Sequence, residues 1–365
     1  MEPLHVVAGS ITVLRLYDVA YAIDLGRVEQ LVRQPAGRVR LRRAEPKAIA
    51  FDRPPVEFSF GTEPIQLAGS PHNAEVNVRV YDFGAITIAL RVNVAGESWD
   101  TFVTATNELT RIVSGEAGAR RNRELLDRVH ALIEPALTRP VVSGLVEDYL
   151  LATVNRFDRP IDAEEVLAQL DLTTILSGEA QPLSAASRKE LLRHSYSYYV
   201  NDLVVLTWDR AFILEPAGDT DIADIIELAN AQLLELRYYD DLLDDELPRM
   251  YDRVAEARRA LRGLGRRRYA ALARDLHTLV AEVTEITERV ENALKVTEDV
   301  YLARIYGAAL ELFRISSWSA TVDRKLAIVR ETYTALYDEA TSGRAELLEA
   351  AIVLLIIFEI VLAFL

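Results

Sequence analysis

From Ile222 onward the apolar residues fall into a register that few folds can hold. Ile226, Ala229, Leu233, Leu236, Asp240, Leu243, Leu247, Met250, Val254, Ala257, Leu261 and Leu264 follow it in alternating steps of four and three. That is thirteen positions with one polar exception, the seam of a coiled coil rather than of an ordinary surface helix. Gly263 and Gly265 interrupt it, and the pattern resumes at Tyr269, Leu272, Leu276, Leu279, Val283, Ile286, Val290 and Ala293. Two matched seams joined at glycines predict an antiparallel helical hairpin over 219–315. Pro248 should kink the first arm, because proline removes a backbone donor and crowds the preceding turn. After Ser316-Ser317-Trp318-Ser319, the positions Val322, Leu326, Val329, Tyr333, Leu336 and Ala340 predict a connecting helix over 316–346.

Asp240 is the polar exception in the seam. In a hairpin turning near Gly265 it lies opposite Arg289, so an Asp240–Arg289 contact is expected to fix the register, as polar seam residues do. The acidic run around it, Asp240-Asp241-Leu242-Leu243-Asp244-Asp245-Glu246, has no histidine or calcium-loop glycine and reads as a solvated helix face.

The first 218 residues differ in character. Period-two alternation marks strands over 11–17, 39–42, 56–60, 76–81, 85–94, 148–154, 202–207 and 211–214, with helices over 123–137 and 187–194. Prolines punctuate this half, and only one more follows Pro216. A domain boundary is therefore placed there, and 1–218 is expected to form an α+β domain.

The chain closes on Ala350–Phe358, nine apolar residues, then Glu359, then six more apolar residues to Leu365. From Glu349 to the end this is roughly 24 Å of helix, against about 30 Å of bilayer hydrocarbon. Hydrophobic on nearly every face, the segment over 347–365 is expected to be a membrane anchor. A buried helix in a soluble oligomer is the competing reading. Glu359 would sit near the midplane, where a lone acid is expensive, so it should turn toward other copies of the helix. Ile352, Leu355 and Ile356 share that oligomer-forming segment with it. The bulk of the chain is placed on the cytoplasmic side of an inner membrane.

Composition removes several function classes. With no cysteine there is no disulfide or thiolate site, and a net charge of −15 argues against a nucleic-acid surface. The basic residues are nearly all arginine, which points to a GC-rich bacterial coding sequence. His5, His72, His130, His194 and His277 are scattered without ligand spacing. No phosphate loop, dinucleotide loop or serine elbow occurs, so no enzyme, cofactor or metal site is expected.

Several stretches nevertheless carry a likeness. Asp82-Phe83-Gly84-Ala85-Ile86, Ser195-Tyr196-Ser197 with Asn201-Asp202-Leu203-Val204-Val205, Leu228–Arg237 and the acid-bearing apolar tail resemble the "required for meiotic nuclear division" (RMD/YagE) family. The likeness runs through most of the chain and is strongest from Tyr196 onward. It implies a membrane-associated protein that self-assembles, with a cytoplasmic protein or the ribosome as partner. The expectation is then a membrane-anchored, self-assembling scaffold or tether. A channel lined by the C-terminal helices, laid out like the CorA magnesium channels but without their Gly-Met-Asn signature, is the alternative.

Overall fold

The longest strand among the described residues is β1 (His5–Asp18), rich in β-branched and apolar residues, in which Ile11, Val13 and Tyr17 face one side and Leu14 and Leu16 the other. A computed structural model describes residues 4–33, 40–42, 49–51, 53–141, 143–259, 262–291, 294–296 and 299–363. The chain continues through β2 (Ala20–Ile23), α1 (Leu25–Val32), β3 (Arg40–Arg42), β4 (Ile49–Phe51), β5 (Val56–Leu67), β6 (Ser70–Val80), β7 (Ala85–Val94) and β8 (Glu97–Ser98). Helices α2 (Trp99–Ser114) and α3 (Glu116–Ile133) precede β9 (Leu137–Pro140) and β10 (Val146–Phe157). Then come α4 (Ala163–Gln169), α5 (Thr173–Ser177), α6 (Ala185–Leu191), β11 (Ser195–Tyr196), β12 (Leu203–Leu206) and β13 (Arg210–Leu214). The remainder is α7 (Asp221–Arg259), α8 (Arg262–Glu291), β14 (Leu294–Val296), α9 (Val300–Leu312) and α10 (Ile315–Ala363).

Ten of the strands form one sheet, in the order β11-β12-β13-β10-β1-β7-β6-β5-β3, with β8 beside β1. Neighbours run antiparallel except β10 and β13, whose residues pair in parallel from Leu150↔Arg210 to Val154↔Leu214. β6 and β7 are joined by Asp82-Phe83-Gly84, where Gly84 has φ +111° and a side chain would overlap the Ala20 carbonyl. Only glycine fits that turn.

One face of the sheet carries Val78, Val80, Ile88, Leu90, Leu150 and Phe212, and it packs on α1 to α5. α2 starts at Ser98, whose hydroxyl accepts from the Thr101 N–H at 3.2 Å, and buries Phe102, Ala105, Leu109 and Val113 at helical spacing. Each fully buried side chain of that size contributes about 1.5–3 kcal/mol.

The opposite face is covered by the first turns of α7 and by α9. The Tyr149 ring of β10 meets Phe313 edge-on at 5.6 Å. Arg79 on β6 reaches α7 with Nη2 2.7 Å from Asp224 and Nη1 2.9 Å from Glu227, while Nη2 lies 3.0 Å from Glu57. Tyr81 donates to Glu227 Oε1 at 3.1 Å. Asp18 and Glu235 are buried on the same side, 4% and 1% exposed, and each keeps one carboxylate oxygen without a hydrogen-bond partner. Burial raises Asp18 to about 7; burial, then the Asp18 charge, raises Glu235 well above the usual range.

The chain divides into two compact units, 1–235 with 289–316, and 236–288 with 317–365. The division falls inside α7 and α8, rather than at 219 where the proline density changes. The second unit is helical. Leu243 and Met250 of α7, Leu272, Leu276, Val283 and Ile286 of α8, and Val322, Leu326, Val329 and Leu336 of α10 are buried. Lys325 holds α10 to α7, its Nζ 2.6 Å from both Asp240 and Asp244, and the rings of His277 and Tyr333 meet at 5.4 Å between α8 and α10. α7 runs through Pro248 as one helix, and Gly263 and Gly265 lie within α8.

Two expectations are corrected. The fold class is mixed α/β with one large sheet and several helices, and the hydrophobic membrane helix at the C-terminus is not part of it. Among the described residues no helix is long and apolar enough to cross a membrane, which removes the anchor and the inner-membrane placement together. The physical reason lies in the run itself. Glu346, Glu349 and Glu359 confine its apolar stretches to fewer than the ~20 residues a span needs. The connecting helix over 316–346 and the tail as far as Ala363 are instead one continuous helix, α10.

Candidate functional site

At the carboxyl end of β13 the chain makes a tight turn, Glu215-Pro216-Ala217-Gly218, before entering α7. Gly218 takes φ +76° and its N–H returns to the Glu215 carbonyl at 3.2 Å. The Glu215 carboxylate accepts from the Ala217 N–H at 2.9 Å, and Asn155 of β10 donates to the Glu215 carbonyl at 2.9 Å. Asp219 Oδ1 accepts the Asp221 N–H at 3.1 Å. Each of the two acids is thus tied to a backbone N–H of its own loop.

Two further segments meet this loop. Between β11 and β12, Asp202 Oδ1 accepts the N–H groups of Tyr198 at 2.7 Å and Tyr199 at 3.1 Å, folding both rings outward. At the start of α9, Asp299 caps the helix by accepting from Tyr301 and Leu302 N–H at 2.8 and 3.1 Å. Together the three segments line a cleft of ≈ 310 Å³. Asp202, Glu215, Asp219, Asp221 and Asp299 all line it, and among the described residues no lysine or arginine does.

The aromatic residues grade from mouth to depth. Tyr198 and Tyr199 are 65% and 66% exposed, their rings edge to face at 4.8 Å. Tyr198 also packs against Tyr301, with centroids 5.6 Å apart. Tyr301 is 8% exposed, and its hydroxyl is buried with no hydrogen-bond partner. Burial first, then the negative charges of Asp202 and Glu215, opposed by Arg304, hold that phenol protonated well beyond its ordinary range. Burial likewise pushes the Glu215 carboxyl up, with Asp202 and Asp219 adding to it and the Ala217 N–H opposing. Among the described residues no group of three acids or histidines is placed to hold a metal ion. An aromatic-rimmed cleft with spread negative charge is suited to an organic cation.

The residues singled out from the sequence lie elsewhere. Asp240 pairs with Lys325 of α10 at 2.6 Å. Arg289 belongs to the sheet unit, where its charge acts against burial on Asp82. Ile352 and Ile356 are half-exposed on α10, 52% and 50%, while the side chains of Leu355 and Glu359 lie outside the described residues. The Arg266-Arg267-Arg268 side chains do so too. The cleft escaped sequence reading because its acids come from three separated segments. Only the crowding of Glu215, Asp219, Asp221 and Asp224 around Pro216 and Gly218 signalled it, and that stretch reads equally as a linker.

Residues 8–220 match the model of the family described as "Uncharacterized protein MJ0711, N-terminal domain". Uncharacterized protein MJ0711 of Methanocaldococcus jannaschii is 30% identical over 193 residues, which are 53% of this chain and 58% of that protein. The chain thus covers less than two thirds of that relative's length. No solved structure matches it. These findings replace the RMD/YagE resemblance, and the relative is archaeal where arginine usage pointed to a bacterium.

Proposed function

The chain belongs to the family of the MJ0711 N-terminal domain, and on that premise we propose that its sheet unit is a binding module for a small cationic ligand. One observation carries this reading: five carboxylates line a cleft with no basic residue among its described lining, rimmed by two exposed tyrosine rings. Tyr198, Asp202, Glu215 and Asp219 fall inside the matched segment, whereas Asp221, Asp299 and Tyr301 lie beyond it. Its volume is at the low end of the ~300–1,000 Å³ usual for ligand sites, which favours a small molecule over a folded segment.

Isothermal titration of the full chain with tetramethylammonium, argininamide, butylamine and spermidine, each at near 0.15 M salt, tests it. The expected result is saturable one-to-one binding of at least one of them, weakened about tenfold by the double variant Glu215→Gln, Asp219→Asn. Absence of saturable binding across the whole set rejects the reading.

Self-association is a second reading, favoured by a different observation. Ile352, Val353, Ile356 and Ile357 form one stripe on α10 and are each half-exposed, 50–54%. A second copy presents the same stripe, so a twofold pairing is complementary to itself. In this reading the helical unit scaffolds a dimer, and replacing Ile352 and Ile356 by serine should yield monomers in light scattering; an unchanged mass rejects it.

A further inference from the structure

We propose that Asp18 and Glu235 form a proton-operated latch, closed while both carboxyls are uncharged, that holds one turn of α7 against β1 and releases it as they ionise. The two acids meet from facing elements. Asp18 ends β1, and Glu235 lies about four turns into α7. They are 4% and 1% exposed, and among the described residues Asp18 Oδ2 and Glu235 Oε1 find no hydrogen-bond partner. Burial acts on Asp18 against a hydrogen bond from the Ala20 N–H; burial, then the charge of Asp18, acts on Glu235. Among the described residues no cation enters either balance. Two carboxylates in that setting are far costlier than two neutral acids.

The charged groups around the pair are engaged with one another. On β6, Arg79 pairs with Glu57, Asp224 and Glu227, and Tyr81 donates to Glu227. In the turn after β6, Asp82 feels Arg289 and Arg53. On β10, Glu147 sits opposite Leu16 and is buried as well. Beyond Glu235 on α7, Arg237 lies over the Trp318 ring. Two other holds on α7 survive a rise in pH. Burial pushes the Glu227 carboxyl up and Arg79 pulls it down, so a higher pH completes the charge facing Arg79 and tightens that grip. Gln232 is neutral: its Nε2 donates to the Val290 carbonyl at 2.9 Å and its Oε1 accepts from the Tyr306 hydroxyl at 2.7 Å. What the latch alone retains is the turn after Gln232, where α7 leaves the sheet unit. Its opening is local and hinged at Gln232.

Asp18 titrates at about 7 in the closed state against 3.8 as its ordinary value, and Glu235 is shifted the same way. Each acid that ionises on opening raises the opening constant about tenfold per pH unit between those two values, and no further above the closed-state one. Amide hydrogen exchange of the full chain, written as protection factors so that the intrinsic pH dependence cancels, reads that constant. From about pH 4.5 to about 6.5, residues 233–236 are expected to lose at least about a hundredfold in protection, and residues 222–227 much less. Asp18→Asn and Glu235→Gln should each flatten the slope, and the double variant should abolish it. Protection at 233–236 that does not change with pH overturns the latch, as does a parental slope in the double variant. Should the double variant fail to fold, a parental slope in both single variants decides against it equally. Loss of protection in step at 222–227 and 233–236 overturns it too, because the opening is then global.

Discussion

Arg79 pairs with Glu57, Asp224 and Glu227 in one buried cluster, so its loss leaves the buried Asp224 and Glu227 without that guanidinium. Arg79→Met should therefore destabilise the chain by about 3–5 kcal/mol, the usual penalty for breaking a buried ion pair on one side, as read from urea unfolding. Arg79→Lys should recover only part of this, because one ammonium cannot reach three carboxylates from two directions. Asp18 makes a prediction with a sign. Its carboxyl titrates at about 7 when folded, against 3.8 as the ordinary value. A raised acid leaves stability intact below the unfolded pKa and removes it as pH climbs through the folded one. Glu235 is shifted in the same direction and adds to the loss. Asp18→Asn should match the parent near pH 4 and gain on it by a few kcal/mol by about pH 7.5; a constant difference across that range would contradict the assignment.

At the scale of elements, the sequence showed its strands well and its helices unevenly. Period two located β7, β12 and β13 within a residue, and found the middle of β10 and the second half of β6, because each has a face on a packed layer. α2 went unread although Phe102, Ala105, Leu109 and Val113 stand at helical spacing, since Thr101, Val103, Thr104 and Thr106 give the same stretch a strand-like composition. What decides for helix is local: the Ser98 cap, and a stripe that meets the sheet. Ser98→Ala should cost about 1 kcal/mol of stability in urea unfolding, and Phe102→Ala about 3–5 kcal/mol. The seam that begins at Ile222 was legible as a helix but silent about its cover. Ile222, Ile226, Ala229 and Leu233 are buried in the sheet unit, and Leu243 and Met250 in the helical one, with no change of register between them. Periodicity reports which face is buried and carries no information about the surface it meets. For the same reason Lys325 could not be foreseen as a partner of Asp240: a two-helix seam is silent about the third helix that brings it.

For the whole molecule, the family match stops at 220 while the sheet unit does not. A fragment of 1–220 keeps all the strands of the large sheet yet lacks what covers Leu14, Leu16, Tyr149 and Leu151. It should aggregate or bind a hydrophobic dye. Joining 1–235 to 289–316 by a short glycine linker should instead give a cooperative melt, measured by circular dichroism. The cleft depends on the same arrangement, because Asp299 and Tyr301 reach it only from the returning segment.

The return of residues 289–316 to a sheet begun at His5 also sets a clock during synthesis. At roughly 5–20 residues per second, the 96 residues from 220 to 316 take on the order of 5–20 s to emerge. Through that interval the finished strands must wait with one face wet, and chaperone capture should be strongest on nascent chains stalled between those two points.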